Sequence, residues 1–435
     1  MIAEIQALND HPGVIRIPNQ IDVPITKRVR NLIDTSAFQR LSHVSQLGLV
    51  SLVYPGATHS RFEHSLGVYR NSLLFCHRLF HIEYFRSVVD RHAAEALVVA
   101  ALLHDLGHWP YCHPVEDISI DGLPDHEDLV EGIISQGEIG NLLEREWSLD
   151  PGLVIRLIRG KPDSDLEKLL CSILSGPIDI DKMDYLYRDS LHCGVPYGMN
   201  FDAPRLIKSI TINRDKDGIA LSSKAKTAAE MMVFARYVMF SEVYWHHAVR
   251  SATAMLQRVF FTWHENNSEQ VTSDFLSQLD DRKFVSEIST TPCKALFEDL
   301  FDRSRNLYKR LLDYNAEQNP DIFYRLAHQP YQRLMQIGEE LIGRINLVKG
   351  LQIGPHELLI DAPPPGLEVQ FKVEVTDDQV CDSLEEISPV VKALAQKQFD
   401  HVVKRVRVYV HPRLRETLPR EEVEEILLEI SNQNA

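Results

Sequence analysis

The stretch ALVVAALLHDLGHWPYCH, residues 96–113, runs from apolar residues straight into His104-Asp105, with His108 and His113 close behind. Burying an ionised carboxylate is costly unless it is paired or bound to a metal. The apolar run places His104 and Asp105 at or near the buried end of a helix. Gly107 and Pro110 then break that helix and leave a turn that aims side chains inward. Two further segments have the same character. In PGATHSRFEHSLGVYR, residues 55–70, His64 lies early in an amphipathic pattern, with Arg61 three residues before it on the same helical face. In IDIDKMDYLYRDS, residues 178–190, Asp181, Tyr185 and Asp189 repeat every four residues and make a polar stripe. Two histidines and two aspartates make a good donor set for Mn, Fe, Ni or Zn, and carboxylate oxygens leave harder metals open. Singly, each segment also has a plainer reading: a capping or surface pair for a lone His-Asp dipeptide, a solvated face for the Asp-rich helix.

These residues need elements to hold them, and the chain has 435 residues, enough for two or three domains. Residues 25–265 read mostly as helix. Residues 68–80, 93–103 and 228–259 carry apolar residues at three- and four-residue spacing. The exception is ITINRDKDGIALSS, residues 210–223, which reads as a hairpin about Asp217-Gly218. Residues 274–344 read as helical and more charged. HELLIDAPPPGLEVQFKVEV (356–375) holds two strand-like runs around a proline break, and VKRVRVYVHP (403–412) is a third. PREEVEEILLEI (419–430) closes the chain as a helix, with proline and acids at its start. The pattern predicts a mainly α fold: a helical core with a short β-hairpin over residues 1–290, then a helical extension and a smaller α+β C-terminal lobe over 291–435.

A net charge of −16 argues against a surface for duplex nucleic acid. No basic segment with an apolar core opens the chain, and no apolar run reaches the roughly 18–20 residues that span a bilayer. Six cysteines without a Cys-x-x-Cys pair predict a reducing, cytoplasmic setting.

The order HSRFEHSLGV, LLHDLGHWPYCH, IDIDKMDYLYRD resembles the HD-domain phosphohydrolases, and within them the deoxynucleoside triphosphate (dNTP) triphosphohydrolases, including the catalytic core of the vertebrate SAM- and HD-domain members. DTSAFQRLSHVSQLG (34–48) is similar to the family's DTxxFQRLRxxxQLG segment, DHEDL (125–129) to its His-Glu, and RYVMFSEVYWHH (236–247) to its long helix with phosphate- and sugar-contacting residues. The resemblance extends over residues 14–430.

The resemblance implies that His64, His104, Asp105 and Asp181 hold one divalent transition metal (Mn, Fe, Ni or Zn), with Mg on the substrate triphosphate as an option. It implies that His113 protonates the leaving oxygen, supported by Glu116 and His126, with glutamate standing where the family has aspartate. Arg61, Lys182, Tyr185 and Arg236 would grip the triphosphate, His108 would sit beside them, and Gln46, Leu47, Asp189 and Tyr244 would form the sugar pocket. The implied reaction is attack of activated water on the α-phosphorus, giving deoxynucleoside and inorganic triphosphate. Tyr244 under the sugar would reject a 2′-hydroxyl. The family's habit is a homo-oligomer, dimer or tetramer.

The chain departs from the vertebrate pattern at Ser42, Phe240, Glu242 and His247, which stand where that pattern has cations or a histidine, and VIRIPNQIDVPIT (14–26) lacks the family's N-terminal motif. Lost cations predict that activation by GTP plus dNTP does not carry over. Two rivals stay open: another HD hydrolase, either a nucleotide phosphatase or a phosphodiesterase, and a regulator that binds nucleotide or single-stranded nucleic acid.

Overall fold

In the computed structural model, residues 2–433 are described except 11–12, 136, 303, 328, 365–372, 377–380 and 395–400. The apolar run that ends on His104 is a central layer. Helix Arg91–Leu103 is buried throughout residues 93–103 and packs on helix Arg61–Leu79, which packs in turn on helix Ile180–Cys193. Each start has a local cause. The Asp90 carboxylate accepts from the Ala93 N–H at 2.8 Å, and Asp179 accepts from the Lys182 N–H at 2.6 Å, side-chain caps for otherwise unpaired donors.

Two glycines set how closely these layers approach. A Cβ on Gly67 would stand 1.8 Å from Asp184 Oδ1, and one on Gly107 would stand 1.9 Å from the His126 carbonyl. Only glycine admits such contact. The HSLGV and HDLGH glycines therefore let helix Ile180–Cys193 and the start of helix His126–Ser135 reach the site.

Nine strands make three small sheets among the described residues. β1 (Val14–Ile17) and β2 (Ile21–Pro24) form a hairpin where sequence reasoning found no motif. β3 (Ile210–Ile212) and β4 (Ile219–Ser222) are the expected hairpin. β4 continues into a four-stranded sheet through a parallel pairing with β7 (Glu374–Thr376), which pairs with β8 (Cys381–Ser383). β5 (Lys309–Asn315), β9 (Arg405–Val410) and β6 (Leu358–Asp361) form the third sheet, antiparallel with β9 central. Part of the second strand-like run expected in residues 356–375 lies outside the described residues.

Two sequence readings are corrected. Residues 228–259 are not one helical stretch: helix Lys226–Met239 widens into a π-helical turn at Phe240–Tyr244 and restarts as His247–His264. The Trp245 N–H reaches back to the Phe240 carbonyl at 2.8 Å, one residue further than an α-turn. Residues 274–344 are not wholly helical, because β5 lies inside them. Its charges disguise it: Asp313 faces Arg405 and Arg407 on β9 at 2.9 and 3.4 Å, so they are satisfied across the sheet rather than along a helix.

One apolar cluster covers residues 2–249 and takes in Val373, Val375 and Leu384. A second is confined to residues 311–430. A third joins Trp109 and Val115 to Phe260, Leu359 and Tyr409. The boundary at residue 290 proposed from the sequence has strands on both sides of it, and two apolar clusters cross it. The fold is mainly α with a C-terminal α+β lobe. Among the described residues no helix is long and apolar enough to cross a membrane.

Candidate active site and metal centre

His104 caps the C-terminus of helix Arg91–Leu103, and the buried Asp105 follows it. Helix Arg61–Leu79 brings His64 to the same point, and helix Ile180–Cys193 brings Asp181. The Nε2 atoms of His64 and His104 are 3.3 Å apart. Asp105 Oδ1 lies 3.3 Å from His104 Nε2, and Asp181 Oδ1 lies 3.0 Å from His64 Nε2 and 3.7 Å from His104 Nε2. The structure thus brings together all four residues expected as ligands. Both histidines keep the other ring nitrogen occupied: His64 Nδ1 is 2.8 Å from Asp184 Oδ2, and His104 Nδ1 is 3.0 Å from the Ala101 carbonyl. Carboxylate and carbonyl partners of this kind fix the tautomer of metal-ligating imidazoles and leave Nε2 free to bind.

Electrostatics point the same way. Burial opposes charge on His64, yet Asp181, Asp184 and Asp105 push its pKa up to about 10. Burial also opposes charge on Asp105, yet His108, Arg61 and His104 hold its carboxyl well below the usual range. The pocket favours positive charge at the point where the Nε2 atoms converge, and a divalent cation held by this nitrogen and carboxylate set would supply it.

Arg61 links this cluster to a cavity of about 430 Å³. It donates to Asp105 Oδ2 at 3.0 Å and lines the cavity with Gln46, Leu47, His113, Tyr185, Asp189 and Tyr244. Tyr244, at the end of the π-helical turn, donates its hydroxyl to Asp189 Oδ2 at 2.6 Å, while His59 Nε2 sits 2.8 Å from Asp189 Oδ1. Lys182, Arg236 and His108 do not line that cavity. Lys182 Nζ is 2.7 Å from the buried carboxylate of Asp179, and the Arg236 guanidinium lies 5.6 Å from the Phe240 ring centre. Burial raises the Tyr185 hydroxyl above its ordinary pKa, and the charges of Arg236 and Lys182 oppose that rise.

The second histidine group departs from the expected dyad. Glu116 Oε1 accepts from the His126 backbone N–H at 2.9 Å, and His126 Nδ1 lies 2.9 Å from it, whereas His113 Nδ1 stands 3.5 Å from Glu116 Oε2. His113 Nε2 is 3.3 Å from His108 Nε2. His108 Nδ1 is 3.1 Å from Asp105 Oδ1 without hydrogen-bond alignment.

Sequence reasoning missed four contributors. Asp184 and Arg188 form a bidentate pair at 2.8 and 2.6 Å behind His64. Arg188 and His64 hold the Asp184 carboxyl at about 2 against the opposing effect of burial. Arg40, in the FQRL motif, donates to the Leu106, His108 and Leu279 carbonyls at 2.7, 3.0 and 3.0 Å, clamping the turn after Asp105. His59 orients Asp189. The i, i+4 spacing of Asp184 and Arg188 was a usable signal. Asp184→Asn should weaken metal binding by about 10–100-fold, read by chelator competition. Gly67→Ala should do the same by pushing Asp184 aside, and unchanged affinity in both would remove Asp184 from the metal's support.

A family model described as the HD-associated region matches residues 201–435, more than half of the chain, and the HD-domain model matches residues 61–189. The chain belongs to the HD-domain family. It is 29% identical over 389 residues to an uncharacterised protein of Methanocaldococcus jannaschii, covering 89% of this chain and 77% of that one. It is 36% identical over 234 residues to the Bacillus subtilis protein YwfO, covering 54% and 51%. To human deoxynucleoside triphosphate triphosphohydrolase SAMHD1 it is 28% identical over 289 residues, covering 59% and 45%. The chain thus spans about half the length of the last two relatives. Among solved structures, a hypothetical protein from Aquifex aeolicus matches with TM-score 0.71 and 29% identity, covering 95% of this chain and 99% of that one. A phosphohydrolase from Bacteroides thetaiotaomicron, 22% identical with TM-score 0.69 over 92% and 99%, shares the fold. The four residues expected as ligands, His64, His104, Asp105 and Asp181, all fall inside the matched HD region.

Proposed function

We propose that this chain is a metal-dependent phosphohydrolase that cleaves dNTPs to deoxynucleoside and inorganic triphosphate. The observation that carries the reading is Arg61, which bonds Asp105 of the metal cluster and lines the cavity that the Tyr244–Asp189 pair also lines. A divalent metal held by His64, His104, Asp105 and Asp181 supplies activation of water near neutral pH.

The chain's own groups do the rest. Arg61 and Tyr185 face the phosphates, and Lys182 and Arg236 stand outside the cavity and act through Tyr185; preorganised cations of this kind stabilise charge in phosphoryl transfer. As the bond from the α-phosphorus breaks, the 5′-oxygen takes a proton from His113. Asp189, oriented by His59 and Tyr244, accepts from a sugar hydroxyl. The Tyr244 ring packs where a 2′-hydroxyl would need room and a partner. The test is product analysis on a panel of dNTPs and NTPs: nucleoside plus intact triphosphate is expected. Nucleoside monophosphate or orthophosphate as the first product would assign a different HD chemistry, and no turnover would favour the binding reading.

Regulation follows from the substitutions. Ser42 is exposed and donates to the Gln39 carbonyl, and Glu242 is exposed beside Ser241. His247 lines a cavity of about 560 Å³ with Arg305, Lys309, Arg310 and Arg415, so cations from other segments stand beside it. Two of them are already engaged: Arg305 donates to the Leu52 carbonyl and Arg310 pairs with Asp313 at 2.6 Å. The expected result is hydrolysis of a single dNTP by a homo-oligomer without a GTP requirement. A strict GTP requirement, with a GTP-driven rise in light-scattering mass, would show that this cavity replaces the lost cations.

A further inference from the structure

The reaction proposed above has no use for the sulfur of Cys112, yet the thiol is buried, 1% exposed, amid three imidazoles. Metal-ligand atoms of Cys112, His108, His113 and His126 all lie within 4.8 Å of one another. His108 Nε2 and His113 Nε2 are 3.3 Å apart, the same separation as His64 Nε2 and His104 Nε2. Two nitrogens each about 2.0–2.1 Å from one tetrahedral zinc stand about 3.3 Å apart. The spacing is that of a ligand pair. Glu116 holds His126 Nδ1 at 2.9 Å, which leaves Nε2 as the ligand atom, just as Asp184 does for His64. Tyr111, at φ 57°, turns the chain so that Cys112 and His113 open the helix Cys112–Glu116 together. The His113 side chain is 58% exposed, which leaves an entry path.

We propose that Cys112, His108, His113 and His126 form a second metal site, separate from the His64–His104–Asp105–Asp181 centre, that takes a thiophilic divalent ion of the zinc class and inhibits when filled. A thiolate with imidazoles selects zinc-class ions over harder ones. Binding forms one metal–sulfur bond and releases the thiol proton to solvent. It also occupies the nitrogen through which His113 would protonate the leaving oxygen. The inhibitory half rests on the proposed reading of His113, whereas the binding half does not.

The experiment uses the full chain, stripped with chelator and titrated with Co²⁺ as a spectroscopic substitute for zinc. Two cobalt ions per chain are expected, one with a thiolate-to-cobalt charge-transfer band. Cys112→Ser should lose that band and one equivalent. Asp105→Ala should keep the band and lose the other equivalent. In the second arm the His64–His104–Asp105–Asp181 centre is first loaded with Mn²⁺; added Zn²⁺ should then lower wild-type turnover at least about 10-fold and leave Cys112→Ser at the rate it has with Mn²⁺ alone. One equivalent in the wild type, or a band that survives both Cys112→Ser and Cys112→Ala, overturns the site. Wild-type turnover indifferent to zinc, with the band present, overturns the inhibitory role. A chain without dNTP turnover still answers the cobalt arm, so failure of the functional reading is told apart from failure of the site.

Discussion

Asp105→Ala is expected to lose its metal and at least about 10²–10³-fold of turnover, the scale of losing one preorganised electrostatic group at a reaction centre. Asp105 is 3% exposed and faces three neighbours, with Oδ2 3.0 Å from the Arg61 guanidinium and Oδ1 3.3 Å from His104 Nε2 and 3.1 Å from His108 Nδ1. Removing it takes one of two carboxylates from the donor set and leaves a buried guanidinium without its partner. Breaking a buried pair in this way costs about 3–5 kcal/mol, so lost activity alone would not separate a missing ligand from a loosened fold. Asp105→Asn keeps the shape and one acceptor oxygen, and a melting curve on each variant isolates the stability term. Elemental analysis decides the matter. Full metal occupancy in a folded Asp105→Ala variant would remove Asp105 from the ligand set.

The second large effect belongs to the leaving-group proton. His113→Ala should keep metal and substrate binding and lose at least about 10²-fold in kcat, within the usual range for a positioned acid. His113 lines the nucleotide-sized cavity, and His126 does not. Glu116 divides its support unevenly, holding His126 at 2.9 Å and His113 at 3.5 Å. Burial would raise the Glu116 carboxyl, but His113 and His126 hold it well below the usual range, so it stays ionised at neutral pH. Glu116 therefore contributes no limb to the pH–rate profile near neutrality, and any limb that wild type shows there should persist in Glu116→Gln. A kcat of His113→Ala within a few-fold of wild type, beside a larger loss in His126→Ala, would hand the proton to the histidine that Glu116 grips more closely.

Much of the site was legible because its chemistry is local in the chain. His104 and Asp105 are adjacent, an apolar run of helical length announces a buried helix before them, and the four-residue repeat of Asp181, Tyr185 and Asp189 puts three polar groups on one face. The hairpin at Asp217-Gly218 and the closing helix Arg420–Gln433 were legible for the same reason. Helical and strand periods say which residues share a face, not what that face meets. Only the folded chain decided that Asp184 turns to His64 across a gap of 120 residues, that Arg40 clamps the turn after Asp105, and that Glu116 favours His126. The same limit hid β5, whose charges read as a helix surface until β9 supplied Arg405 and Arg407. It also hid the π-helical turn, a one-residue widening that leaves apolar spacing almost unchanged and yet directs Tyr244 onto Asp189. Spacing along the chain determined which groups were available for chemistry. Packing between distant segments decided which of them touch, because burial makes each charged group take whatever partner the neighbouring helix or strand presents.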